Sequence, residues 1–188
     1  MKKMMFNDKY GLTQAVLEGR KTMTRRLVPN GTTLGNWNET EKHSHYKVGE
    51  VVAIAQSYHD IGLPPTECIG GVYKRRCDEP GWTNKMFVKA ELMPHRIRIT
   101  DIHVERLQEI SDEDCLKEGV YYHTEPSKCH EYDLYSPWSP SVKPYKFKSD
   151  KYFCSAKYAF KHLIDKVSGK GTWESNPWVF VYEFELVK

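Results

Sequence analysis

Arg96-Ile97-Arg98-Ile99-Thr100-Asp101-Ile102-His103-Val104 alternates charged or polar side chains with aliphatic ones. Successive side chains of an extended backbone point to opposite sides, so the pattern predicts a strand with one dry and one wet face. Trp178-Val179-Phe180-Val181-Tyr182-Glu183-Phe184-Glu185-Leu186 is richer in β-branched and aromatic residues and predicts the strongest strand of the chain. Residues 23–28, 51–56 and 86–90 read as shorter strands. Helical spacing is confined to three places. Leu12, Ala15 and Val16 share a face before the stop at Gly19; Ser111 caps an acidic first turn at Asp112-Glu113-Asp114 that runs to Lys117 or Glu118; and residues 152–167 carry Phe153, Ala156, Ala159, Phe160, Leu163, Ile164 and Val167 ahead of Gly169. Residues 32–45 are polar and read as a loop; residues 58–82, rich in Pro and Gly, read as irregular. Period-2 strands without regular crossover helices argue against a doubly wound fold. The expectation is an α+β protein built on a small curved sheet or pseudo-barrel with two or three flanking helices.

The 188 residues carry 28 Lys and Arg against 25 Asp and Glu, a net charge of +3, too small to steer a duplex from a distance. The charge is unevenly spread, with basic clusters at Arg20-Lys21-Thr22-Met23-Thr24-Arg25-Arg26, at Lys74-Arg75-Arg76 and at His95-Arg96-Ile97-Arg98. Such clusters either converge on an anionic surface or decorate solvated strand edges, where they block aggregation. The longest apolar runs, residues 51–55 and 178–182, fall far below the roughly 20 residues a spanning helix needs. Asn7 and Asp8 interrupt the basic start before an apolar leader develops, so a cytoplasmic protein without a membrane partner is expected. Cys68, Cys77, Cys115, Cys129 and Cys154 are odd in number, form no CxxC pair and read as reduced thiols. A zinc site from Cys68, Cys77, Cys129 and His130 competes with ordinary packing, but its spacings match no common finger or ribbon; no metal is expected.

The first basic cluster has the richest chemistry. A glycine helix stop is followed at once by a lysine, two hydroxyls and two further arginines. Lysine acts as a base only when burial or positive neighbours lower its pKa, and Arg20, Arg25 and Arg26 are such neighbours. A threonine hydroxyl becomes a nucleophile only beside a base, so Lys21 and Thr24 form a chemically sensible pair. The plain alternative is a basic strand entry that meets phosphates or solvent.

Gly19-x-Lys21-x-x-Thr24-x-Arg26 resembles the GxKxxExR signature of the ASCH domain, a β-barrel related to the PUA domains of RNA-modifying proteins. Thr24 stands where the signature has an acid. That departure is similar to a branch of small amidohydrolases that remove the acetyl group from N4-acetylcytidine with a lysine, a threonine and a glutamate. In that branch the glutamate lies near the close of a short acidic helix, and residues 107–119 look similar, which makes Glu118 the matching position. The resemblance also covers Tyr46-Lys47-Val48-Gly49-Glu50-Val51 and the closing strand. It implies a single domain over residues 1–188 with insertions at about 58–82 and 121–150. It implies Lys21, Thr24 and Glu118 as catalytic residues and neither metal nor cofactor.

The second insertion interleaves Tyr121, Tyr122, Tyr132, Tyr135, Trp138, Tyr145 and Phe147 with Lys143, Lys146 and Lys148. Rings among lysines stack bases and hold phosphates; the alternative is a loop whose rings cover the core. Trp173 and Trp178 read as core or pocket-wall residues. Three functions follow. A binder of RNA or of a modified nucleoside would use an open basic groove through Arg20, Arg25, Arg26, Arg96 and Arg98. An amidohydrolase acting on an acylated nucleoside would bring Lys21, Thr24 and Glu118 together at an enclosed pocket. A protein-interaction adaptor would expose an apolar patch on the aromatic insertion. Oligomeric state has no signature in the sequence.

Overall fold

The structure, a computed structural model, describes residues 1–123, 134–136 and 153–187. In chain order it forms β1 (Lys3–Met4), α1 (Leu12–Leu17), β2 (Met23–Leu27), α2 (Trp37–Lys42), β3 (Val51–Ile54), β4 (Thr66–Ile69), β5 (Val72–Arg75), β6 (Arg96–Arg106), α3 (Asp112–Lys117), β7 (Tyr121–His123), β8 (Leu134–Ser136), α4 (Ala156–Ser168), α5 (Thr172–Ser175) and β9 (Trp178–Val187). This is a mixed α+β protein with one main helix, α4. Five strands make one sheet in the order β1-β3-β6-β9-β2, parallel between β1 and β3 and antiparallel elsewhere; β4–β5 and β7–β8 are separate two-stranded sheets.

Of the two expected forms of the sheet, no closed barrel is present among the described residues: β1 and β2 remain edges. The sheet nevertheless curls until its edges approach. Arg26 of β2 donates from Nη2 to the carbonyl of Met5, the residue after β1, at 2.5 Å.

The long β6–β9 ladder is the spine. Its register shifts between Ile99 and Asp101. Strict alternation would send Ile99 and Ile102 to opposite faces, yet Ile97, Ile99 and Ile102 are all buried while Thr100 and Asp101 are exposed, because the irregularity resets the parity. Phe180, Tyr182 and Phe184 of β9 join them, and α4 contributes Ala156, Ala159, Phe160, Leu163 and Ile164, one stripe at helical spacing. Each large side chain buried here is worth about 1.5–3 kcal/mol.

Four local expectations are corrected. Residues 86–90 form no strand; they belong to the single turns Lys85–Phe87 and Ala90–Leu92, the first capped by Asn84, whose side chain accepts from the Met86 amide. The polar stretch 32–45 contains α2, capped by Asn36. The stretch 58–82 contains the β4–β5 hairpin, turned at Gly70-Gly71. Helix α4 starts at Ala156 because Phe153 is an extended residue bonded both ways to Tyr135 of β8, at 2.8 and 2.9 Å. The aromatic insertion beyond Tyr121–His123 and Leu134–Ser136, including Tyr132, Trp138, Lys143, Tyr145, Lys146, Phe147 and Lys148, lies outside the described residues, as do Cys129 and His130. Cys68, Cys77, Cys115 and Cys154 are free thiols. Burial pushes the Cys115 thiol up to about 12. Trp173 packs against the core, while Trp178 is partly exposed under the Arg106 guanidinium, 4.5 Å from its ring centre. Among the described residues no helix is long and apolar enough to cross a membrane.

Candidate active site

The site begins with the stop of α1. Gly19 takes φ 73°, open to glycine at little cost, and the amides of Arg20 and Lys21 both turn back to the Ala15 carbonyl at 2.9 Å. The next amide, of Thr22, donates to Lys117 at the end of α3 (3.0 Å). Glu118 caps α3, and Gly119 follows at φ 102°, where a Cβ would lie 3.3 Å from Leu12 and 3.5 Å from the Lys21 stem. These turns lay the Lys21 side chain along Gly119 and onto Glu118.

Lys21 is buried to 2% exposure. Its Nζ donates to the Met23 carbonyl (2.7 Å), the Glu118 carbonyl (2.7 Å) and Glu118 Oε2 (2.6 Å). Three acceptors match the three protons of an ammonium. Burial pulls the Lys21 pKa below its ordinary value, with the Glu118 carboxylate opposing the shift.

Arg25, also buried, shares that carboxylate. Its Nη1 lies 3.2 Å from Glu118 Oε1, its Nε donates to Glu105 Oε1 at 2.8 Å, and Asp114 stands 3.6 Å from Nη2. The chain of charge continues outward: Glu105 Oε2 is 3.8 Å from His103 Nε2, and His103 Nδ1 is 3.0 Å from Asp101. Burial pushes the Glu105 carboxyl up, but the His103 ring and the Arg25 guanidinium outweigh it and hold the group below its usual value.

Thr24 is 6% exposed, and among the described residues its hydroxyl has no hydrogen-bond partner. It lines a pocket of about 380 Å³ together with Lys21, Arg26 and Glu118, walled opposite by Phe160, Leu163 and Ile164 of α4. Volumes of this order hold a small molecule.

The structure thus brings Lys21, Thr24, Glu118 and Arg26 to one pocket. Arg25 also lines it but spends its guanidinium on Glu105 and Glu118. The other arginines do not join them. Arg20 pairs with Glu18 at 2.6 Å under the cover of Tyr121, 5.7 Å from its ring centre. Arg98 and Arg96 sit opposite Glu185 and Val187 of β9, whereas Arg25 and Arg26 sit opposite Val181 and Phe180, so four or more residues, roughly 13 Å of strand, separate the two sets. Glu105 and Asp114 went unread in the sequence as site residues. The signal available was that a buried motif arginine needs acids, and Glu105 continues the wet face of the Arg96–Val104 alternation.

The chain matches no protein-family model, no curated protein and no solved structure.

Proposed function

We propose that this protein is an ASCH-type amidohydrolase that binds a modified pyrimidine nucleoside in the Lys21/Thr24/Glu118 pocket and hydrolyses its exocyclic acyl amide, with N4-acetylcytidine as reference substrate. The observation that carries this reading is a Thr24 hydroxyl that has no hydrogen-bond partner among the described residues and lines the same small pocket as a buried lysine bonded to a carboxylate. The resemblance over Gly19–Arg26 and Glu118 supplies the substrate class.

The 2.6 Å contact lets Lys21 pass a proton to Glu118, freeing the Nζ lone pair, and burial already disfavours the charged lysine. Thr24 Oγ1 then attacks the acyl carbon as its proton moves to Nζ. The tetrahedral adduct collapses, the C–N bond breaks, and the leaving nitrogen takes the proton from Lys21. Water adds to the Thr24 ester with Lys21 again as base, and acetate leaves as Thr24 recovers its proton. Arg26 lines the pocket and offers N–H donors to the developing oxyanion. Arg25 fixes the second oxygen of Glu118.

The same geometry favours a nucleoside over an RNA strand. A strand needs a positively charged track, and the basic cluster Lys74-Arg75-Arg76 is matched by Glu79, Asp78 and Glu67.

The test is release of cytidine from N4-acetylcytidine by the purified protein and by Lys21→Ala, Thr24→Ala and Glu118→Gln. Each folded variant is expected to lose roughly 10²–10⁴ in kcat. Absence of cytidine release by the folded wild type refutes the hydrolase reading for this substrate.

A further inference from the structure

The pocket does not end at Thr24. In the β2–β9 register Thr24 lies opposite Tyr182 and Arg26 opposite Phe180. Directly opposed residues share one face of a sheet, with Cβ atoms about 4.5–5.5 Å apart. Tyr182 and Phe180 line a second, larger cavity of about 660 Å³, which shares Met5, Arg26 and Leu27 with the first. One sheet face therefore runs from the Thr24 hydroxyl into the second cavity, and Arg26 stands at the junction.

The electrostatics of that cavity differ from those around Lys21 and Arg25, whose charges face carboxylates. Among the described residues the Arg26 side chain bonds only the Met5 carbonyl, and Lys3 Nζ donates to the carbonyls of Met86 and Val88. Among the described residues neither has a carboxylate within 4.0 Å. Carbonyls accept from part of their N–H groups and leave both unit charges without a carboxylate partner. The remaining ionic groups around the cavity are accounted for differently: Lys2 pairs with Glu50 and the Met1 amine with Glu91, each at 3.1 Å, while His43 and His45 complete the lining. Apolar walls and the ring of Tyr46 make up much of the surface. A cavity so built suits a group that is anionic at one point and carried on a larger, partly apolar body.

We propose, resting on the hydrolase reading, that the substrate is an acylated nucleotide: its acyl amide enters the Thr24 pocket, and its phosphate lies in the second cavity between Lys3 and Arg26. Arg26 then contacts both ends of the ligand, and Lys3 selects for the phosphate.

The experiment compares kcat/KM for N4-acetylcytidine and N4-acetylcytidine 5′-monophosphate at constant ionic strength. The nucleotide is expected to be preferred about tenfold or more, the scale of one charge-assisted hydrogen bond. Lys3→Gln should bring the ratio close to one, and Lys3→Arg, which keeps the charge, should retain the preference. Equal use of the two compounds by the wild type, or a preference untouched by Lys3→Gln, overturns the proposal. If neither compound is turned over, the hydrolase reading fails by itself, and calorimetric binding of cytidine 5′-monophosphate against cytidine decides the anion site. Tighter nucleotide binding that Lys3→Gln abolishes supports it; equal binding, or none, overturns it.

Discussion

The β4–β5 hairpin and the end of α3 both set cations against acids at similar distances. In the hairpin Lys74 meets Glu79 at 2.7 Å and Arg75 meets Asp78 at 3.3 Å, with the two cationic side chains 57% and 70% exposed. At the end of α3 Lys21 meets Glu118 at 2.6 Å, with side chains 1% and 6% exposed. Water screens the first set so well that making or breaking a pair changes little. Taking the second set out of water costs several kcal/mol per ion, repaid only while every partner is in place. Distance alone therefore says nothing about what an ion pair does; the surrounding medium decides. Between the extremes runs a graded chain, from Arg25 at 0% through Glu105 at 18% to His103 at 44% exposure.

The contrast is broken or sharpened most strongly at Glu118. Glu118→Gln leaves two buried cations without their shared carboxylate and is expected to lower unfolding free energy by about 3–5 kcal/mol in urea titration. A loss below about 1 kcal/mol would put the buried cluster in the same class as the hairpin. An intermediate effect is expected at His103. The Glu105 carboxylate, 3.8 Å away, raises its pKa above 6.5, burial opposes this, and the hydrogen bond with Asp101 adds to the rise. Because the folded value lies above the unfolded one, the stabilisation is complete below about pH 6.5 and is lost as pH climbs through the folded value. Relative to His103→Gln, the wild type should therefore lose stability on going from about pH 6 to pH 8. Since the ring is half-exposed and screened, the change should stay under about 1 kcal/mol. The smallest effect belongs to Arg75→Ala, for which the urea midpoint should not move. A clear drop there would show that the hairpin's charges act as a coupled network.

Much of the architecture was legible because alternation and capping are local. The Arg96–Val104 pattern marked β6, Ser111 with its acidic first turn marked α3, and the Phe160–Leu163–Ile164 stripe marked α4. What failed locally failed for a tertiary reason. Met86 and Phe87 have strand-forming neighbours in sequence, but among the described residues no ladder partner stands beside them, and both are exposed. The register shift after Ile99 was invisible, since a bulge is defined by the strand opposite. At the site, Lys21, Thr24 and Glu118 were legible through spacing and resemblance. Arg25 read as an RNA- or substrate-binding residue because its sequence neighbours are basic. Its acids, Glu105 and Asp114, arrive from β6 and α3, eighty and eighty-nine positions later, so only the fold could assign them.

A closed barrel is a hoop whose every stave is laced to the next. This sheet is fastened more like a bracelet: its two ends meet, and what joins them at Arg26 and Met5 is a side chain gripping a carbonyl. Such a clasp can part without unlacing any pair of strands. Both cavities are lined by the clasp residue itself, so they lie on the stretch of wall whose opening leaves the rest of the sheet intact.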